Sequence, residues 1–205
     1  ASGIRDISLK QDFDYYPYAN QKLKFGLLYT HHRFTPSVVS GKQDSVVFNP
    51  LNAQTKYAHE GAAYIQDDWE ISPKFQLNTG LRYSFFQQTG PNKIYTTDAD
   101  GNRTDSMVFR KGQAVKTYGG LEPRVTLRYA IDEETSVKAS VTRNLQYIHL
   151  VSNSGTTLPT DLWVPSTYKV KPQLSWLYAA GLFRNFKNNT FETSLEVYYK
   201  HMQNQ

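Results

Sequence analysis

The densest run of groups in this 205-residue sequence that could hold a metal or move a proton is His59, Glu60, Asp67, Asp68 and Glu70. A metal site needs ligands whose spacing brings them to one point, and no His-x-x-x-His or comparable spacing occurs here. His31 and His32 are chain neighbours, so in a strand they would point to opposite faces and could not easily share one ion. Asp98-Ala99-Asp100-Gly101-Asn102 opens like a calcium loop, but its glycine comes too early and no glutamate closes the loop. A loop-tip turn accounts for it better. No nucleophile is paired with a base, there is no phosphate-cradling glycine loop, and cysteine is absent. The expected reading is a protein that is not an enzyme and has neither metal nor cofactor.

A second set of charged groups is more informative. Lys24, Arg82, Arg124, Arg128, Lys138, Glu192, Glu196 and Lys200 all fall at the polar positions of alternating segments. Arg82, Arg124 and Arg128 are the candidates from this set for contact with a ligand. Packing against a polar partner inside the same molecule is the plainer role for all eight. Trp163 and Tyr168 are two further candidates, on a connection stiffened by Pro159, Pro165 and Pro172. They could touch a ligand or pack on neighbouring loops.

The elements that must carry these residues have a period of two. In 121–131, Leu121, Pro123, Val125, Leu127, Tyr129 and Ile131 alternate with Glu122, Arg124, Thr126, Arg128 and Ala130. After Asp132-Glu133-Glu134 the pattern resumes with Val137, Ala139 and Val141 against Lys138, Ser140 and Thr142. Each segment reads as a strand with one apolar and one polar face. Similar alternation marks segments beginning near Ile7, Leu23, Gly61, Phe75, Ser175 and Phe191, although both parities of 176–186 carry apolar residues and leave its faces open.

The total is about eight strands of roughly 11 to 14 residues, longer than most strands in globular sheets and suited to tilted spans of a bilayer. Tight turns are expected near residues 18, 73, 133 and 188. Long connections are expected at about 35–60, 88–116 and 151–174, all leaving from the opposite end of the sheet.

The net charge of +5 is not gathered into one run, so a nucleic-acid groove is poorly supported. Mean hydropathy is −0.59, which a membrane β-barrel shares with soluble proteins because every second residue is polar. The aromatic fraction is 14%, with 15 tyrosines. Two belts are expected, one beside the tight turns (Tyr15, Tyr16, Tyr18, Trp69, Phe75, Tyr129, Phe186, Phe191) and one at the far ends (Tyr29, Phe34, Phe85, Tyr118, Tyr147, Trp176, Tyr199). Asp67 shares a parity with Ile65 and Trp69, so either a bulge shifts the register there or the carboxylate lies near a wet interface. Arg143 raises the same problem and is expected near the outer headgroups.

The stretches "AAYIQDDWEISPKFQLNTGLRYSFF" (62–86), "LEPRVTLRYAIDEETSVKASVTRNLQYIHLVSNS" (121–154), "LPTDLWVPST" (158–167) and "FETSLEVYYKHMQNQ" (191–205) resemble the barrel of TonB-dependent outer-membrane receptors. The nearest subclass is the one with a carboxypeptidase-regulatory-like N-terminal domain. The resemblance implies an all-β, antiparallel, up-and-down transmembrane barrel of about 22 strands, filled by an N-terminal plug. In such a receptor a ligand enters from outside, and TonB, energised by the proton-motive force, pulls on the plug. Residues 1–205 would then be one partial barrel domain, an internal wall segment without the plug and the remaining strands. The implied partners are outer-membrane lipid, those missing parts, TonB and an imported ligand, whether siderophore, cobalamin, glycan or peptide, and the implied location is the bacterial outer membrane. The alternatives are a passive porin or adhesin-like barrel and a soluble carbohydrate-binding β-sandwich.

Overall fold

The computed structural model describes residues 3–35, 41–43, 46–48, 55–98, 102–151, 162–187 and 190–205. The strands are β1 (Gly3–Tyr18), β2 (Gln21–Thr35), β3 (Gly41–Gln43), β4 (Val46–Phe48), β5 (Lys56–Ser72), β6 (Phe75–Thr89), β7 (Asn92–Thr97), β8 (Arg103–Phe109), β9 (Ala114–Ala130), β10 (Thr135–Gln146), β11 (Ile148–Val151), β12 (Leu162–Pro165), β13 (Gln173–Phe186) and β14 (Phe191–Gln203). Eight of them form one antiparallel sheet in the order β1-β2-β5-β6-β9-β10-β13-β14. Each strand of this sheet pairs with its sequence neighbours in the sheet, so the chain runs up and down. Tight turns therefore stand at one end and the three long connections leave from the other.

The connections hold more structure than the sequence reading assigned to them. Each carries a small hairpin: β3 with β4, β7 with β8, and β11 with β12. In the middle hairpin Asn102 donates its backbone N–H to Asp98 Oδ1. Residues 99–101 of the calcium-like motif lie outside the described residues, as do 188 and 189 of the last expected turn.

Register settles the two faces. Leu77 stands opposite Leu127, and Arg82 opposite Glu122. Leu81 is 44% exposed and Leu127 38%, whereas Ser84 and Phe86, on the face of Arg82, are 1% and 0% exposed. The apolar side chains thus point outward, and among the described residues no second sheet packs on them, as the soluble-sandwich alternative would require. The outward set continues through 176–186, where the sequence pattern was ambiguous. Tyr178 and Leu182 are exposed on that face, and Tyr178 stacks on Tyr199. Leu177, Ala179 and Gly181 pair with Lys200, Tyr198 and Glu196 and so share the polar face.

The polar face is the concave one, because side chains from strands two apart meet there. The Tyr64 hydroxyl of β5 reaches across β2 to Asp12 of β1. It passes over Gly26, where a Cβ would stand 2.9 Å from Tyr64 Oη and 2.6 Å from Asp12 Oδ1. On the outward face Phe85 lies over Gly61 in the same way, close enough that a Cβ at Gly61 would collide with the ring. Aromatic rings covering strand glycines are a known device for filling the gap that a missing side chain leaves in a sheet.

No register shift occurs between Tyr57 and Glu70, so no bulge relieves Asp67. It stays outward near the tight turn, where the Gln21 amide donates to its carboxylate at 2.8 Å. Arg143 lies opposite Trp176, just past the last paired residue between β9 and β10. Its guanidinium donates to Leu121 O and lies 5.9 Å from the centroid of the Trp176 ring.

The aromatic belts need correction. Tyr29, Phe85, Trp176 and Tyr199 keep the outward parity of the far belt. Phe34 and Tyr147 are each 3% exposed and lie inward, where they form a buried cluster with Ala58 and Phe86. Tyr118 packs against that cluster and does not belong to the belt. Near the turns, Tyr16 is on the polar face, with the Lys22 ammonium over its ring.

Candidate functional site on the polar face

Three cavities open on the polar face. One of about 460 Å³ at the tight-turn end is lined by Lys22, Asp68, Glu70, Gln76, Arg128 and Lys138, among others. A middle one of about 240 Å³ includes Lys10, Lys24, Tyr64, Arg82, Glu122 and Arg124. A third of about 370 Å³, at the loop end, includes Glu60, Tyr147, Gln173 and Lys200. Alternation explains the lining: every second residue of β1, β2, β5, β6, β9, β10, β13 and β14 must point here.

The structure brings together part of the candidate set. Arg82 and Arg124 share the middle cavity, and Arg128 stands turn-ward of them in the next. Arg82 Nε lies 3.7 Å from Glu122 Oε1. Glu122 also accepts the Ser84 hydroxyl and the Leu145 amide. Arg128 donates to Gln76 Oε1 at 3.2 Å. Asp12 holds Lys10 at 2.7 Å and Lys24 at 3.8 Å. The Lys138 ammonium lies 4.3 Å from the centroid of the Phe183 ring. Among the described residues, Arg124, Arg128, Lys138, Glu192, Glu196 and Lys200 have no ion-pair partner. Nor do three His, Asp or Glu side chains there converge as metal ligands would.

Trp163 and Tyr168 stand apart from the arginines. Trp163 is on β12, opposite Leu150 of β11. Tyr168 is exposed, with the Lys116 ammonium 5.7 Å from its ring centroid. Residues 152–161 of the same connection lie outside the described residues.

What the sequence reading missed is how this connection folds. β12 lies against β1 and β2, on the far side of the sheet from the strands it joins. Its base is pinned at Tyr147, whose hydroxyl meets Ser84 Oγ at 2.8 Å and Ser84 O at 3.2 Å. Ser166 N–H donates to Tyr147 O at 2.7 Å, and the Ser166 hydroxyl is 3.1 Å from His149 Nε2. The pin rests on the buried ring pair Phe86 and Tyr147, 5.3 Å between centroids. Parity was the available signal, since Phe34 and Phe86 fall on the inward register of their strands.

Among the described residues this face presents cavities lined by paired and unpaired charges. Its shape matches known proteins. The sequence profile described as "TonB dependent receptor-like, beta-barrel" matches residues 3–205. A comparison with curated protein sequences gives no match. Among solved structures, the FrpB iron transporter from Neisseria meningitidis is similar at a TM-score of 0.62 and 16% identity, covering 98% of this chain and 29% of that one. The copper transporter OprC gives 0.63 at 15% identity, covering 98% and 30%. The siderophore receptor PirA from Acinetobacter baumannii gives 0.63 at 13%, covering 100% and 28%. At such identities these likenesses concern the fold, and this chain spans under a third of each of those chains.

Proposed function

The chain belongs to the TonB-dependent receptor-like β-barrel family, and on that premise we propose that it is a wall segment of an active importer in the bacterial outer membrane. The family and the structural neighbours are transport receptors and not enzymes. The observation that carries the proposal is the division of the sheet: outward a face that is apolar along its middle and carries charges only toward its ends, and inward a face whose charges are only partly paired. Arg124, Arg128, Lys138, Glu192, Glu196 and Lys200 lack carboxylate or ammonium partners within the described residues. Charges on a lumen wall are stabilised by a complementary polar body or by ligand in transit. A plug and the remaining strands would supply the first. Arg82 and Arg124 in the middle cavity, and separately Trp163 and Tyr168 on the third connection, are the proposed contacts for the second. The cargo is a scarce or bulky nutrient such as a siderophore, cobalamin, glycan or peptide, and TonB would act through the plug.

The rival from the same architecture is a passive porin. Conductance of the whole parent protein in a planar bilayer separates the two. A plugged importer shows no steady open current until the plug is loosened with denaturant, and its uptake in cells stops when the proton-motive force is collapsed. A large steady current from the untreated protein would instead assign the wall to a porin.

A further inference from the structure

At the loop end of the outward face, Arg5 of β1 stands directly opposite Arg33 of β2. Turn-ward of this pair, His31 stands opposite His59 of β5, with ring centroids 4.9 Å apart. The Tyr29 hydroxyl and His59 Nδ1 are 2.6 Å apart, a hydrogen bond that orients the second imidazole. Like charges directly opposite in a sheet repel, and among the described residues neither guanidinium has an ion-pair partner. The carboxylates of Asp6 and Glu60, next in the chain to Arg5 and His59, are on the opposite face and flank His32, at 2.8 Å and 3.4 Å. Outward along β2 the residues run Leu23, Phe25, Leu27, Tyr29, His31 and Arg33. That order, apolar then tyrosine then cation, is the order of a bilayer leaflet from hydrocarbon through interface to headgroup.

We propose that Arg5 and Arg33, with His31 and His59 beneath them, bind the phosphates of a phosphate-bearing glycolipid headgroup in the outer leaflet. The proposal rests on the membrane-spanning reading above, with the long connections outside. Two guanidiniums give fork-shaped donor pairs that match phosphate oxygens. The imidazoles add donors at the depth where the sugar meets the acyl chains. A bound phosphate turns the Arg5–Arg33 repulsion into two attractions, which accounts for placing two arginines face to face on a surface otherwise made for lipid.

The test uses the whole parent protein in phosphatidylcholine nanodiscs doped with lipid A or with dephosphorylated lipid A, and counts retained lipid by native mass spectrometry. The wild type is expected to retain lipid A at least about tenfold better than the R5Q/R33Q double variant, each basic residue near an anionic headgroup being worth several-fold. It should hold the dephosphorylated lipid no better than that variant does. R103Q removes a cation that lies over Tyr95 in a loop hairpin and should change nothing. Equal retention of lipid A by wild type and R5Q/R33Q, or undiminished retention of the dephosphorylated lipid, overturns the proposal. Failure of the wild type to enter the nanodiscs as a heat-modifiable barrel overturns the membrane reading itself, and the two failures are thereby distinguished.

Discussion

Tyr147 and Ser84 fix the third connection to the wall through one hydroxyl each. In Tyr147→Phe both contacts to Ser84 are lost while the ring stays on Phe86, and the docked hairpin should weaken by about 1–2 kcal/mol. Faster protease cleavage within 147–172 and lower exchange protection of the Ser166 amide are the expected outcomes, with the barrel itself intact. His149 adds a pH dependence. Burial in the hairpin holds its imidazole below the ordinary value of 6.5. The docked state therefore takes up a proton less readily than the released one. Docking is at full strength above about 6.5 and weakens as pH falls from there through the lower docked value. Protease sensitivity of 147–172 should rise on mild acidification, and His149→Asn should abolish that rise. At this scale the sequence was half legible. Arg82, Arg124 and Arg128 were placed on the correct face because strand parity dictates it. Phe34 and Tyr118 sit at strand ends, as belt residues do, but their parity is inward; Tyr147 has the parity of Val141 and lies one residue past the end of β10, where alternation no longer fixes which way a side chain points.

Among the elements, the eight wall strands were the most legible part, because apolar-out and polar-in alternation leaves little else that 75–86 or 121–131 could form. Strand 176–186 was illegible because small residues at Ala179, Ala180 and Gly181 carry no face preference. The loop hairpins were missed because short external strands lack a lipid-facing side to impose alternation. Glycine positions show how closely the wall strands are fitted. In Gly61→Ala the new methyl group occupies the place of the Phe85 ring. The folded parent barrel should lose about 1–3 kcal/mol, read as a lower temperature for the loss of its heat-resistant gel mobility. If the clash is the cause, Gly61→Ala combined with Phe85→Ala will cost less than the sum of the two single changes. Strict additivity would place the Gly61 effect elsewhere.

For the whole molecule, the isolated chain should not form a soluble monomer. Its outward face exposes residues such as Leu195 (68%) and Ile7 (64%), and among the described residues β1 and β14 each leave one edge without a partner. Sedimentation after detergent-free purification should show aggregates. A monodisperse monomer with a cooperative melt would refute the bilayer-facing assignment of this surface.

Neighbours in this sheet follow one another along the chain with nothing but a loop hairpin between them, joined alternately by a tight turn at one end and a long connection at the other. If a gene loses or duplicates one strand, every later connection is carried to the wrong side of the membrane. If it loses or duplicates a hairpin, every loop keeps its side and the ring only narrows or widens. The smallest change in the girth of such a wall that leaves every loop on its own side is therefore two strands.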